Sequence, residues 1–307
     1  MTKPAKGSLQ SLDPSAKLFV ELKKQNPEWW SLLCNDKEVY IHIRKDNYIN
    51  AYYYGGSIIK LEYKRGEFVG ETHHKYYEEL LPNSNPKKTY LRIDLNKFDK
   101  ATLEHIKKKI SEEYSERSMK KEGSEMEEQT EFSEKYIQGE MIINNPNIID
   151  SEFQFNLDTE ADKLRIDLTE LSNGTLTFNE LKLITDSRLS ISDKTSNNTI
   201  IKKTEPEIIG QMKKYNNFIA NNHSEIETYY KKLLEIRESL GLNVGDSKLI
   251  NVNEKAKLTI VDTYKEEILS NGKSNRIEKI KKIPNKVEIE FKIIKTGLNE
   301  NHHPPRY

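Results

Sequence analysis

Apolar and polar residues recur along this chain with two different periods, and the change of period locates its secondary structure. In the first part, alternation with a period of two predicts short strands, which turn residues separate. These strands are predicted at residues 39–43, 48–54 and 57–63. Apolar residues spaced by three and four predict helices at residues 17–26 and 97–117. The pattern therefore predicts a tyrosine-rich β-meander with flanking helices.

A polar stretch at residues 118–129, rich in Lys, Glu, Gly and Ser, separates this part from the rest. We place a domain boundary there, with an N-terminal α+β domain at residues 1–125 and a second domain at residues 126–307. The pattern in the second domain predicts helices at residues 132–143, 206–219 and 226–240, and strands at residues 152–156, 163–171, 175–184, 257–261 and 287–294. Asn173 and Gly174 tolerate positive φ and predict a hairpin turn, whereas residues 190–204 are expected to form a loop or an irregular excursion. This order predicts an α/β (α+β) fold with a central mixed sheet flanked by helices.

Composition restricts the classes of protein that fit this pattern. The 307 residues carry 49 basic and 49 acidic side chains, so any nucleic-acid contact has to use local basic patches. Cys34 is the only cysteine, which excludes a disulfide framework and a zinc site built from cysteines. The sequence shows neither the apolar core of an export signal nor a run long enough to span a bilayer. We therefore expect a cytoplasmic protein without membrane contact.

Candidate chemistry lies on the second and third predicted strands of the second domain. Glu180 and Lys182 project from one face of their strand, because side chains alternate, and Leu181 projects from the other. The hairpin can place Asp167 beside them. Two carboxylates and the carbonyl of Leu181 are ligands suited to Mg²⁺, with Mn²⁺ as a substitute. A bound metal would acidify a water and neutralise phosphate charge, while Lys182 stabilises the transition state, so hydrolysis of a phosphodiester is the expected reaction.

A solvated sheet face is the alternative explanation of these charges. The third strand, however, is apolar on both faces, with Leu176 and Phe178 on one side and Leu181 and Leu183 on the other. Such a pattern is typical of a central strand covered on each side. Charges in that position need a metal or a partner to offset the cost of desolvation, which favours a catalytic site.

The segment from residue 132 to 215 resembles the PD-(D/E)XK nuclease superfamily, with its restriction-endonuclease-like fold. Gln211-x-x-x-Tyr215 resembles the motif of RecB-like nucleases, and residues 134–138 and 145–149 resemble the first core helix and following turn of NucS-like and Shedu-like members. The resemblance covers about a third of the chain, and Ile166 stands where the family name has proline.

The resemblance implies catalytic roles for Asp167, Glu180 and Lys182, and a supporting role for Glu134. It implies that Gln211 and Tyr215 flank the site and the nucleic acid; a tyrosine that only packs in the core is the alternative. Basic residues on the same helix and elsewhere are candidate phosphate contacts. They are Lys213, Lys214, Lys202, Lys203 and the lysines of residues 107–109 and 273–286.

The sequence is compatible with three functions. The first is a Mg²⁺-dependent nuclease acting on DNA in genome defence or repair, as a homo-oligomer or a complex gated by a partner. The second is a nuclease-fold binding or assembly module without turnover, and the third is an RNA-processing nuclease. The N-terminal domain is expected to recognise substrate, bind a partner or support oligomerisation.

Overall fold

The structure is a computed structural model that describes residues 8–77, 89–119, 133–156, 163–183, 186–189, 194–196, 199–201, 205–245, 248–249, 251–261 and 288–292. Within these residues the fold is mixed α+β, with a five-stranded sheet, a six-stranded sheet and a two-stranded ribbon. The α-helices are α1 Lys17–Gln25, α2 Glu28–Asn35, α3 His74–Tyr77, α4 Lys100–Met119, α5 Glu134–Asn144 and α6 Glu207–Ser239. The strands are β1 Tyr40–Arg44, β2 Tyr48–Tyr53, β3 Gly56–Lys64, β4 Glu67–His73, β5 Tyr90–Ile93, β6 Ile148–Asn156, β7 Lys163–Ser172, β8 Thr175–Leu183, β9 Lys194–Ser196, β10 Thr199–Ile201, β11 Asn251–Val252, β12 Lys257–Val261 and β13 Glu288–Lys292.

The first sheet is an antiparallel meander in which β1 to β5 follow one another in chain order. The predicted helix at residues 17–26 and the three predicted strands are confirmed, while α2, β4 and β5 were not predicted. Ile43, Ile49 and Leu61 are fully buried in the same apolar core as Leu22 of α1. The apolar positions of the meander thus form one face of a core that α1 helps to cover.

The second sheet has the order β13-β12-β8-β7-β6, and β11 also pairs with β8. Strand β8 is antiparallel to β7 and parallel to β12, so the sheet is mixed and β8 lies inside it. Asn173 and Gly174 connect β7 to β8 with φ of 50° and 75°, which confirms the predicted hairpin turn. Phe178 and Leu181 of β8 are at most 1% exposed, as expected for a strand covered on both faces.

Helix α6 covers the second sheet. The two helices predicted at residues 206–219 and 226–240 are confirmed as the two segments of α6, which meet at a kink at Asn222, where φ is −124° and ψ is 17°. The amide of the Asn222 side chain donates to the carbonyl of Phe218. Both halves of α6 bury aromatic residues, among them Tyr215 and Tyr230, so packing continues across the kink.

The stretch predicted to be a loop or an irregular excursion at residues 190–204 contains strands β9 and β10, which pair as an antiparallel ribbon. That part of the prediction was wrong, because the polar pattern of this stretch gave no sign of pairing. Predicted phosphate contacts at Lys202, Lys203 and residues 273–286 lie outside the described residues. None of the described helices combines the length and apolar character that crossing a membrane requires.

Buried polar contacts connect the two halves of the chain. Arg44 of β1 donates from Nη1 to Asp150 Oδ1 at 2.8 Å and to the carbonyl of Ser151 at 2.7 Å. Arg237 of α6 donates to the carbonyl of Ile41 at 2.9 Å. The largest apolar core contains residues from both sheets. The two sheets therefore pack against each other, and the domain boundary near residue 125 stays a prediction.

The first sheet also supports α5, the helix that carries Glu134. The ring of Tyr54 stacks on Tyr136 with centroids 4.8 Å apart. The Tyr54 hydroxyl donates to Glu140 at 2.6 Å. A Cβ atom at Gly139 would lie 2.8 Å from Cα of Tyr54, so glycine permits this close approach. The position of α5 is thus set by the β2–β3 connection.

Candidate active site

Strands β7 and β8 stop pairing regularly at the point where the acidic residues lie. The antiparallel ladder ends at Leu168 opposite Asn179, although both strands continue. Beyond it, the backbone N–H of Leu181 donates to Asp167 Oδ2 at 2.9 Å instead of to a carbonyl of β7. The carbonyl of Asp167 accepts a hydrogen bond of 2.6 Å from Gln138 of α5. A carboxylate thus replaces a backbone acceptor, and the two strands separate around it.

Three carboxylates converge on the ammonium of Lys182, and we name these four side chains the acid–lysine cluster. Lys182 Nζ lies 2.5 Å from Glu180 Oε1, 3.4 Å from Asp167 Oδ2 and 3.5 Å from Glu134 Oε1. It also donates to the carbonyl of Leu181. The side chains of Lys182 and Glu180 are each 2% exposed, whereas that of Glu134 is 36% exposed. The cluster therefore opens to solvent on the side of α5.

Gln211 and Tyr215 of α6 hold Glu180. Gln211 Nε2 lies 2.7 Å from Glu180 Oε1 and 2.9 Å from the Tyr215 hydroxyl oxygen. That hydroxyl lies 2.6 Å from Glu180 Oε2 and 2.6 Å from the carbonyl of Arg165. Its single proton serves one of these two acceptors at a time. Tyr215 is 1% exposed, so its hydroxyl contacts other groups of the protein and not solvent.

Lys213 and Lys214 lie on the exposed side of α6. Lys213 forms an ion pair of 3.0 Å with Glu205, and both partners are about half exposed. The helix therefore turns Gln211 and Tyr215 toward the cluster and the two lysines toward solvent. The structure brings together Glu134, Asp167, Glu180, Lys182, Gln211 and Tyr215 and leaves the two lysines outside.

The cluster contains more acid than one ammonium offsets. The pKa of Glu180 is raised to about 7, because burial and then the neighbouring Asp167 raise it by more than Lys182 lowers it. Burial likewise raises the pKa of Glu134, against the effect of Lys182. The pKa of Lys182 is raised: burial lowers it, but the three carboxylates outweigh burial. Additional positive charge would therefore stabilise the ionised carboxylates.

The three carboxylates of the cluster offer oxygen atoms as metal ligands, the ligand type that Mg²⁺ prefers. Within the described residues, no group of three or more His, Cys, Asp or Glu side chains is spaced to hold a metal ion as it stands. The Lys182 ammonium lies where the carboxylates meet and occupies the position that a metal cation would take. The residue types thus fit a hard divalent cation, provided that the lysine side chain shifts.

Two contributions to the site were not predicted from the sequence. Gln138 is 4% exposed and donates to the carbonyl of Asp167. The sequence feature that could have indicated this role is a polar residue next to Ile137 and close to Ile142, two apolar residues that α5 buries. Arg188 follows β8 in the short 3-10 helix Ser187–Leu189, and no sequence pattern marked it.

Comparison with known proteins gives no further indication of the function of this site. No protein-family profile, curated protein or solved structure matches this chain. Function is therefore inferred from the geometry of the acid–lysine cluster and its neighbours.

Proposed function

We propose that this protein is a divalent-metal-dependent nuclease that hydrolyses phosphodiester bonds in DNA. The observation that carries the proposal is the convergence of Glu134, Asp167 and Glu180 on the buried ammonium of Lys182. Buried carboxylates with shifted pKa values around a lysine are typical of a catalytic site. The order of α5, the β6–β8 meander, α6 and β12 supports the proposal, because the sequence resemblance implies a core with elements in this order.

Asp167, Glu180 and the carbonyl of Leu181 are the groups that would hold the cation. When bound, Mg²⁺ or Mn²⁺ supplies a Lewis acid that offsets phosphate charge and lowers the pKa of a water. Asp167 is positioned by the N–H of Leu181, and Glu180 by Gln211 and Tyr215. These contacts fix the two carboxylates before substrate arrives, which lowers the cost of organising the site.

Lys182 provides the positive charge that the reaction needs at the phosphate. Its ammonium is held between Glu180 and Glu134, so a shift toward the more exposed Glu134 moves it toward the open side of the cluster. There it would orient the attacking water or stabilise the negative charge that develops on the phosphate oxygens. Glu134 acts as the supporting acid that keeps the ammonium within reach.

One observation favours a second candidate, a nuclease-fold binding or assembly module without turnover. The ammonium of Lys182 already fills the centre of the cluster, where it contacts three carboxylates. Such a network is satisfied within the protein itself and resembles a structural ion network. The settings in defence or repair, and assembly as a homo-oligomer or a complex gated by a partner, are further parts of the proposal.

The proposal is tested by incubating the purified protein with plasmid, linear duplex, single-stranded DNA and RNA, each with Mg²⁺, Mn²⁺ or EDTA. We expect DNA to be cut with either metal and to stay intact in EDTA. Cleavage restricted to RNA would establish the RNA-processing alternative. Binding of DNA without any cleavage in either metal would establish the inactive module.

Replacing Tyr215 by phenylalanine tests the support of Glu180 from α6. The variant keeps the buried ring and loses the hydroxyl that lies 2.6 Å from Glu180 Oε2. Because a hydrogen bond to a charged group contributes about 1.5–3 kcal/mol, the initial rate of plasmid nicking should fall about tenfold to 100-fold.

Tyr229→Phe is the matched control for this experiment. Tyr229 is also buried in α6, but its ring packs on Phe153, away from the acid–lysine cluster. Its nicking rate should equal that of the wild type. Equal rates for Tyr215→Phe and Tyr229→Phe would show that the Tyr215 hydroxyl has no part in the reaction.

A further inference from the structure

A second positively charged side chain, that of Arg188, lies beside the acid–lysine cluster, just after the strand that carries Lys182. After β8 the chain turns back, because the N–H of Asp186 donates to the carbonyl of Leu183 at 2.9 Å. The short 3-10 helix Ser187–Leu189 follows and contacts α6, and Leu189 is buried in the main core. Arg188 is therefore held on a fixed turn between β8 and α6.

Asp186 fixes the direction of the Arg188 guanidinium. Arg188 Nε lies 3.0 Å and 3.2 Å from the two carboxylate oxygens, and Nη2 lies 2.5 Å from Oδ2. The same carboxylate accepts the backbone N–H of Arg188 at 2.8 Å. Among the described residues, Nη1 has no hydrogen-bond partner, and the side chain is 39% exposed. One edge of the guanidinium is thus anchored and the other remains available.

The turn that carries Arg188 begins at Leu183, directly after Lys182, because the N–H of Asp186 bonds to the carbonyl of Leu183, and this places the guanidinium near the cluster. Its positive charge lowers the pKa of Glu134, after the larger effects of burial, Lys182 and Asp167. Conversely, the pKa of Arg188 is raised first by its hydrogen bonds with Asp186 and further by Glu134 and Glu180. Arg188 and the acid–lysine cluster therefore share one electrostatic environment.

The charges of the site leave a role for a cation of this kind. Three carboxylates and one ammonium give a net charge of about −2 when all are ionised, which repels a phosphodiester. A bound divalent cation would offset the charge of the carboxylates but would leave no net positive charge to attract the phosphate. Lys182 is buried and surrounded by acids, whereas Arg188 is partly exposed and has a planar fork of N–H donors suited to phosphate oxygens.

We infer that Arg188 is a substrate-contacting residue, which uses its exposed Nη1 edge to bind a phosphate of the DNA backbone at the mouth of the acid–lysine cluster. Asp186 is the positioning residue that aims the guanidinium. This inference rests on the proposed nuclease function and identifies a phosphate contact that the lysines on the outer side of α6 do not provide.

The test measures binding apart from cleavage. Affinity for a fluorescein-labelled DNA duplex is followed by anisotropy in Ca²⁺ buffer at several salt concentrations, with duplex integrity checked on a gel. Arg188→Ala should bind about fivefold to tenfold more weakly, and the slope of log affinity against log salt should fall by about 1, because one phosphate contact is lost. Arg188→Lys should restore the slope but only part of the affinity, since it keeps the charge and loses the fork.

Arg92→Ala is the control, because Arg92 is an arginine in an exposed ion pair with Glu67, 59% and 60% exposed. Its binding should match that of the wild type. If the affinity and the salt slope of Arg188→Ala equal those of the wild type, the inference is overturned. This holds also if the melting temperature of the variant falls, because the Asp186–Arg188 pair would then be purely structural. If the wild type cuts DNA in that case, the nuclease proposal stands without Arg188; a wild type that neither binds nor cuts DNA overturns both.

Discussion

Glu180→Gln is expected to lower the rate of metal-dependent DNA cleavage by about 10²- to 10³-fold, the largest effect among single substitutions at the site. The amide has nearly the same shape and can still bond to Tyr215, but it removes the negative charge that a cation requires. The wild-type carboxylate is 2% exposed and contacts Lys182, Gln211 and Tyr215, so the substitution acts at the centre of the cluster. Initial rates of plasmid nicking in Mg²⁺ measure the effect.

Glu170→Gln serves as the control for loss of a carboxylate on the same sheet. Glu170 lies on β7 and accepts hydrogen bonds from Asn145 and Asn179, outside the acid–lysine cluster. Its cleavage rate should remain close to that of the wild type. Full cleavage by Glu180→Gln would show that the reaction takes place elsewhere in the chain.

The same substitution has a predicted effect on stability against pH. The pKa of Glu180 is raised from 4.5 to about 7, chiefly by burial. A raised pKa means that the group stabilises the fold fully below its ordinary pKa and that this contribution is lost as pH rises through about 7. In EDTA, the melting temperature of the wild type should therefore fall more between about pH 5 and pH 8 than that of Glu180→Gln. Equal pH dependence of the melting temperature in the two proteins would contradict a raised pKa of Glu180.

Asp150→Asn is expected to lower the free energy of unfolding by about 3–5 kcal/mol, because it leaves the charge of Arg44 buried without a counter-ion. Asp150 is fully buried, and Arg44 is 6% exposed. Their contact of 2.8 Å connects β1 of the first sheet to β6 of the second. Urea denaturation measures the change, and DNA cleavage by the folded variant should be unaffected, because the pair lies outside the acid–lysine cluster.

Glu67→Gln is the matched control, because the Glu67–Arg92 ion pair has nearly the same N–O distance, 2.9 Å, but is exposed to solvent. Removing an exposed pair should cost about 0–1 kcal/mol. The double substitution Arg44→Met with Asp150→Leu removes both charges and should recover much of the loss. A cost for Asp150→Asn as small as that of the control would show that the two sheets do not depend on this pair.

Local patterns predicted the elements that hold the site. Strands β7 and β8 and the turn at Asn173 and Gly174 follow from alternation and from the φ preferences of the turn residues. The covered position of β8 follows from apolar residues on both of its faces. The shared face of Glu180 and Lys182 follows from the pleat, and the structure places both side chains in the cluster.

Contacts between distant segments could not be read from those patterns. At the point where β7 separates from β8, Gln138 donates a hydrogen bond to the carbonyl of Asp167, a residue 29 positions away. Arg188 acquires its place only from the turn and the burial of Leu189. Periodicity describes one element at a time, and these features arise where elements meet.

Binding of Mn²⁺ in the absence of substrate tests the cation site most directly. Mn²⁺ is titrated into the wild type and Glu180→Gln, and the free ion is followed by electron paramagnetic resonance. We predict that the wild type binds Mn²⁺, that Mg²⁺ displaces it, and that Glu180→Gln binds at least about tenfold more weakly. Equal binding by the two proteins, or no binding by the wild type, would contradict a cation site formed by Asp167, Glu180 and the carbonyl of Leu181.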